Sequence, residues 1–440
     1  MKRALFPALL AALACGPTAA AAACPAVPPY RLPRELPRYH LRFRVQPDRN
    51  LVSGTLALSF APEQSTDRLV FRLWPNGPSL SRFGARLTVG TVSEGEGPLR
   101  VARPNPTTLV VFPGHELQAG EGIDVAIPWR LRLPLLRGAR LSRLGRLVRL
   151  GSFFPLLAWN GHAWALDPPS TGPAETWTSP SADFDVRISA PPDLRVLASG
   201  ERVGPGHWRA HAVRDFALVL GRFRLATGTA YAPGRVKVTV GVAPGSAAPT
   251  AHRFLARAVK ALEVHSQRFG PYPWRTLGLA VLPDLGGGGI EYPTIVFLGP
   301  QSLLRATSHE LGHQWFYSLV GNDQARDPWL DETLATWAAG RADGILSVFA
   351  RWPIPAAARG HLGAPMTFWD RHFSGFFAGA YAQGVRALVS LGDPGRVDCA
   401  LRLYAAENAY QTATPRDLLA ALRRFFPGAR SKLETYGARF

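Results

Sequence analysis

His309-Glu310-Leu311-Gly312-His313 sets two imidazoles and a carboxylate within five residues, and eighteen residues separate His313 from a further carboxylate, Glu332. On a helix, side chains four apart leave the same face, so His309 and His313 would present both rings to one metal ion. Glu310, beside them, would handle the proton of a water at that metal. Glu332, on a following helix, supplies a third ligand. Three protein ligands leave the fourth tetrahedral position to water, which distinguishes a catalytic zinc from a closed structural one. One Zn2+ per chain is therefore expected. Chance would place such a motif on an ordinary surface helix in roughly one chain in a hundred of this composition. Leu304, Leu311, Trp315 and Leu319 argue further against that, because they form a rough apolar stripe that would bury one side of a helix over roughly residues 302–320.

Two other segments stand in register with this motif. Upstream is Gly288-Gly289-Ile290-Glu291-Tyr292-Pro293; downstream is Tyr381-Ala382-Gln383-Gly384. Together with Glu332 inside Trp329-Leu330-Asp331-Glu332, they resemble the aminopeptidase N-like (M1, gluzincin) family of zinc metallopeptidases, with its G-x-M-E-N strand and Y-x-K-G segment. The chain departs from that pattern at Ile290 for Met, Tyr292 for Asn, Thr333 where Gly usually follows the ligand Glu, and Gln383 for Lys. The resemblance implies that Glu291 pairs with a substrate's α-amine, that Gly288 and Gly289 expose backbone groups to the peptide, and that Tyr381 donates to an oxyanion. The plainer alternatives are a strand-edge acid after a flexible turn and a packed tyrosine. Large members of the family continue into a helical domain; a short form without it is expected, with a more open site.

The chemistry follows from the residue types. Zinc held by His309, His313 and Glu332 would lower the pKa of water toward about 7 and polarise a scissile carbonyl. Glu310 would serve as general base. Tyr381 would stabilise the charge that develops on the carbonyl oxygen. A carboxylate such as Glu291 can fix a protonated N-terminus so that the first peptide bond is the one cleaved. Each ligand histidine needs an acceptor for its second ring N–H, and Asp327 and Asp331 are near enough in sequence to be candidates.

The remaining sequence sets the frame. At 440 residues the chain suggests two domains. Met1-Lys2-Arg3, the apolar run from Ala4 to about Cys15 and the Ala tract to Ala23 read as a secretory signal peptide, 1–23. Export to the periplasm, envelope or exterior would permit Cys24 and Cys399 to pair, although sequence does not bring them together. The formal charge of +19 does not lead to a nucleic-acid partner, because only four of the basic residues are Lys, the Arg are scattered, and no nucleic-acid fold signature is present. Arg137, Arg140, Arg143, Arg146 and Arg149, interleaved with leucines, read as a solvated strand or hairpin face, with weak association to an anionic envelope as the alternative.

Short alternating apolar runs from about residue 30 to 225, such as those at 39–45, 51–60, 108–112 and 184–188, predict an N-terminal antiparallel β-domain, 24–228, of saddle or sandwich type. Phe153-Phe154-Pro155 and Asp215-Phe216-Ala217-Leu218 resemble landmarks of the family's β-domain. No catalytic cluster is evident in this half. Mixed strands followed by helices from about 229 to 440 predict a thermolysin-like catalytic domain, so the fold class is α+β. The function expected is a secreted zinc metallopeptidase that removes N-terminal residues from peptide substrates. An open-site endopeptidase, or a non-catalytic envelope-binding protein on the same fold, are the alternatives; no oligomeric state follows from the sequence.

Overall fold

Tyr39, Leu41, Phe43 and Val45 face inward while Arg38, His40, Arg42 and Arg44 face solvent, the two-residue alternation of a half-buried strand. That strand, Arg38–Gln46, lies centrally in a nine-stranded sheet between Leu51–Phe60 and Ala182–Ser189. Its pairing with Leu51–Phe60 is antiparallel and that with Ala182–Ser189 is parallel, one exception in a domain otherwise built from antiparallel neighbours. Two four-stranded sheets complete the β-rich half. One contains the hairpin Ser142–Leu144 and Leu147–Leu150, the other Leu69–Arg72 and Thr108–Phe112. The computed structural model describes residues 24–171, 176, 178–246, 249–303 and 306–440. The expected signal segment and Leu304 lie outside the described residues.

The second half is organised on a five-stranded mixed sheet in the order Arg224–Tyr231, Arg235–Val242, Thr276–Val281, Ile295–Leu298, Gly289–Tyr292. The last strand is therefore an edge, and it carries Glu291. Helix α1 (Ala251–Phe269) packs its apolar face, including Phe254, Ala258 and Leu262, against this sheet. Behind it stand α2 (Ala306–Gly312), α3 (Trp329–Asp343), a π-helical segment (Phe377–Ala382), α4 (Gln383–Val389) and α5 (Pro394–Glu407). The sheet-rich half followed by a mixed half with helices is the α+β class expected. Cys24 and Cys399, on α5, form a disulfide with Cα atoms 5.2 Å apart, which answers the question sequence left open. No helix among the described residues is long and apolar enough to cross a membrane.

Helix α2 is shorter than the expected span of 302–320. After His313 the backbone opens into wide turns, Ser318 N to His313 O at 2.9 Å and Val320 N to Trp315 O at 3.0 Å, and Tyr317 takes φ 136°. The side chain of Gln314 accounts for part of this. Its Oε1 accepts from Thr294 N at 2.9 Å and its Nε2 donates to Tyr292 O at 3.0 Å, tying the turn to the strand pair that bears Glu291. Leu311, Trp315 and Leu319 are nonetheless fully buried, so the apolar stripe does face the core.

Candidate metal centre and active site

Gly312 explains how two helices bring three ligands to one point. A Cβ there would lie 3.0 Å from Ala335 Cα and 3.1 Å from Ala338 Cβ, so the missing side chain lets α2 press against α3. Glu332, in the first turn of α3, then reaches the histidines. His309 Nε2 and His313 Nε2 are 3.1 Å apart, and Glu332 Oε2 lies 3.2 and 3.4 Å from them. Tetrahedral ligands about 2.0–2.1 Å from a shared zinc sit roughly 3.3 Å from one another. The triangle has that size. Glu332 Oε2 is buried and makes no hydrogen bond, leaving a lone pair for a cation. Two imidazoles and one carboxylate are the donor set that zinc favours at catalytic centres, so the residues present fit the ion.

The outer shell differs from the sequence candidates. His313 Nδ1 is 3.0 Å from Phe316 O, a carbonyl exposed by the turn that ends α2. His309 Nδ1 faces Thr336 Oγ1 at 3.3 Å, and that hydroxyl donates to Glu332 O at 2.6 Å. Both arrangements leave Nε2 directed at the ligand triangle. Asp331 does not take part: its carboxylate accepts from Asn322 Nδ2, Gln324 Nε2 and Glu332 N, which anchors the start of α3. Asp327 contributes its carbonyl to Asn322 rather than its carboxylate to a histidine.

Glu310 lies on the far side of the triangle against the edge strand. A Cβ on Gly289 would fall 2.3 Å from Glu310 Cγ, so glycine there is what admits the carboxylate. Burial, then the nearby Glu291, push the Glu310 carboxyl well above its ordinary range. Glu291 is buried on the same strand, with ligand atoms of Glu291, Glu310 and His313 all within 4.8 Å of one another. Gly288 lines the same cavity.

Tyr381 sits in the π-helical segment, a distortion that often re-aims side chains at functional sites. Its ring stacks on His309, with centroids 5.5 Å apart and planes 15° from parallel. Burial and the adjacent Glu332 raise the phenol well above its usual value, so it carries its proton. The segment is held close to α3 at Gly384, where a Cβ would lie 1.7 Å from Thr333 Oγ1. Thr333 in turn donates to Ala380 O at 2.6 Å. Gln383, the departure from Lys, is a buried structural residue: Oε1 accepts from Gly360 N and Nε2 donates to Ala358 O, both at 3.1 Å.

One group in the cavity was not anticipated. Arg140, from the β-rich half, places Nη2 3.8 Å from Glu291 Oε1, with only 14% of its side chain exposed. Arg149 is likewise buried, in an ion pair with Asp284 at 2.6 Å. The arginine-leucine run is the hairpin expected, but two of its five arginines face inward, because their counter-charges lie on the other half of the chain. Arg140, His309, His313, Glu332, Glu310, Glu291 and Tyr381 line one cavity of about 440 Å³.

Residues 254–352, which include most of α1, all of α2 and Glu332, match the peptidase family M1 domain. Aminopeptidase M1-C of Oryza sativa subsp. japonica is 28% identical over 47% of this chain and 27% of its own length. Leukotriene A-4 hydrolase of Xenopus laevis is 32% identical over 22% of this chain and 17% of its own. The chain thus spans about a quarter of the length of the first of these relatives, and less of the second. The crystal structure of a Deinococcus radiodurans M1 zinc metallopeptidase variant bound to a Tyr-Ser-Ala substrate superimposes with a TM-score of 0.72 at 21% identity, covering 92% of this chain and 95% of that one. A two-domain M1 zinc metallopeptidase variant bound to L-arginine gives 0.70 at 20%. At such identities the agreement speaks to fold, and it extends over both halves. The matched domain lies across the helices that carry His309, His313 and Glu332, and the fold over both halves of the chain is similar to that of M1 zinc metallopeptidases.

Proposed function

We propose that the chain is an exported zinc peptidase that removes N-terminal residues from peptides. The observation that carries this reading is the convergence, in one cavity, of the ligand triangle with Glu310 on one side, Tyr381 on another, and Glu291 on an edge strand. An edge strand has backbone groups open to pairing, so an extended peptide can add alongside Gly289–Tyr292. Glu291 then holds the α-ammonium and sets which bond lies over the metal site. Glu310 accepts a proton from the attacking water and returns it to the leaving amine. The Tyr381 phenol donates to the carbonyl oxygen as it becomes anionic. Zinc, when bound, supplies the Lewis acid that activates water and polarises the carbonyl. Export is supported by the basic and apolar character of residues 1–23 and by the Cys24–Cys399 disulfide, a bond that persists in oxidising compartments.

The test compares kcat/KM on matched peptides with free and acetylated N-termini, for the parent and for Glu291→Ala. Free-amine peptides should be strongly preferred by the parent and should lose most of their advantage in the variant. Efficient cleavage of acetylated peptides, with Glu291→Ala indifferent to the amine, would replace the aminopeptidase reading with an endopeptidase.

A further inference from the structure

We propose that the basic end of the nine-stranded sheet's outer face docks this protein on an anionic phospholipid bilayer, with the apolar rim of the metal cavity entering the headgroup region; the inference does not depend on the aminopeptidase reading. Paired residues on neighbouring strands share a face, so the register fixes which side chains gather. Arg42 is opposite Arg187 on one side and Thr55 on the other. Arg44, two residues on, is opposite Ser53, which is opposite Arg130 on the next strand, Ile123–Arg132. Arg132 in turn is opposite Arg86, on the strand Arg86–Val89. With strands about 4.8 Å apart and same-face residues about 6.8 Å apart along each, these six exposed arginines spread over a patch roughly 20 Å across. None of the six pairs with a carboxylate among the described residues.

The acids on this face lie toward its other end and are already engaged. Asp124 accepts from Ser59 Oγ at 2.5 Å, Asp183 is 2.6 Å from His211 Nδ1, and Asp185 is 3.0 Å from both His207 Nε2 and Arg209 Nε. Asp48, in the turn Pro47–Arg49, has Arg49 beside it. The face is therefore polarised, and its basic end attracts an extended surface of negative charge. A broad sheet face suits a plane of headgroups, where a single anion would need an enclosed pocket. A nucleic acid would need aromatic side chains on which to stack its bases. Tyr39, Phe43, Phe60, Trp129 and Phe184, the aromatic residues of these strands, are all buried instead.

The basic end adjoins exposed apolar groups. Phe83, 44% exposed, lines the metal cavity and precedes Arg86 by three residues. Leu135, 60% exposed, follows Arg132 by three residues, and Leu136 after it lines the cavity. Such spacings keep each apolar residue within about 11 Å of its arginine. Basic groups beside exposed apolar side chains are the combination that binds at a headgroup boundary, the charges for attraction and the apolar groups for insertion. The run from Arg137 to Arg149 is a separate surface: Arg149 is buried on Asp284, and Arg146 is paired with Asp193 at 2.9 Å.

The measurement is co-sedimentation of the disulfide-bonded protein with vesicles of phosphatidylcholine alone and of phosphatidylcholine mixed with phosphatidylglycerol, at low and high salt. The parent should partition onto the anionic vesicles, should ignore the neutral ones, and should be released by salt. Each arginine near an anionic surface contributes about fivefold, so Arg44→Glu with Arg130→Glu should weaken partitioning about twenty-five-fold or more. Arg86→Glu with Arg132→Glu is an independent pair with the same expected loss. The control pair, Arg416→Glu with Arg423→Glu on the exposed side of the helix Pro415–Arg423, changes net charge identically and should weaken binding less than about threefold. Phe83→Ser with Leu135→Ser should weaken binding while leaving its salt dependence in place. Thermal midpoints near the parent's identify the variants in which contact, and not fold, has been lost. Equal partitioning onto neutral vesicles, or equal losses in the sheet pairs and the control pair, overturns the proposal. So does binding to single-stranded or duplex DNA, sensitive to the same arginines, by a protein that ignores anionic vesicles. Partitioning unchanged by Phe83→Ser with Leu135→Ser overturns the placement of the cavity rim at the bilayer.

Discussion

Gly289→Ala should abolish most turnover without removing the metal. The added Cβ would sit 2.3 Å from Glu310 Cγ, 2.5 Å from Cδ and 2.6 Å from Oε1. Ordinary carbon contacts begin near 3.5 Å, so the Glu310 side chain must retreat by about 1 Å. The clash falls on Cγ, not only on the far end of the chain, and rotation about the last bond cannot relieve it. Helix α2 is poorly able to move instead, since Leu311 is fully buried and Gly312 already packs tightly on Ala335 and Ala338. The strand is held from the other side by its pairing with Ile295–Leu298. A displacement of this size at a reacting group costs on the order of a hundredfold in kcat, about 2.7 kcal/mol of barrier. Zinc content should match the parent, because no ligand is touched, and is measured by elemental analysis beside kcat and KM. Shortening the base in the same background, Gly289→Ala with Glu310→Asp, should recover part of the loss, whereas Glu310→Asp alone should lower activity. Turnover of the single variant within threefold of the parent would refute the placement of Glu310 against this strand as the working position of the base.

Glu310→Gln should keep zinc near the parent's stoichiometry and lose most activity, while His309→Ala or Glu332→Ala should lose metal; elemental analysis and peptide assays separate the two classes. Tyr381→Phe should lower kcat about a hundredfold with little change in ground-state binding, and an unchanged kcat in a folded variant would return this residue to a packing role. Asp215 is fully buried, accepts from Ser152 Oγ at 2.5 Å and Phe216 N at 2.7 Å, and burial pushes its carboxyl up to about 7. Its folded-state pKa lies above the unfolded value, so the stability it contributes is complete below about pH 4 and is lost as pH rises through about 7, at up to about 1.4 kcal/mol per pH unit. Denaturant titrations of Asp215→Asn should show a shallower decline over that window than the parent; identical slopes would count against a protonated Asp215.

The legible part of the site is the part whose chemistry restricts both residue type and spacing. Two histidines four apart, a glutamate between them and a third ligand on the next helix could be read without coordinates, as could the alternation of Arg38–Gln46 and the period of Ala251–Phe269. Groups that act through the backbone left no such trace. The Phe316 carbonyl that faces His313 exists because α2 ends early, and any residue type could supply it. Thr336 faces His309, whereas Asp331, the more obvious acceptor by sequence, bonds Asn322 and Gln324. Gly384 was noted as part of a motif, but its reason, a close approach to Thr333 that seats Tyr381 beside α3, appears only in three dimensions.

Arg140 reaches the cavity through a contact that sequence does not record. A periodic run of arginines and leucines is the pattern of a hairpin with one wet face, and Ser142–Leu150 does form that hairpin. What sequence does not reveal is that Asp284, 135 residues beyond Arg149, comes to lie beneath it. Arg149 is buried on Asp284, and Arg140, earlier in the same run, lines the metal cavity. The two halves of the chain thus divide the labour. The half with helices carries His309, His313, Glu332, Glu310 and Tyr381 on elements close in sequence, where motifs can record them. The β half contributes Arg82, Arg137 and Arg140 to the cavity lining, where only the folded topology can bring them. The residue types that could do chemistry are therefore written locally in this chain, while the cavity wall that faces them depends on long-range contacts between its two halves.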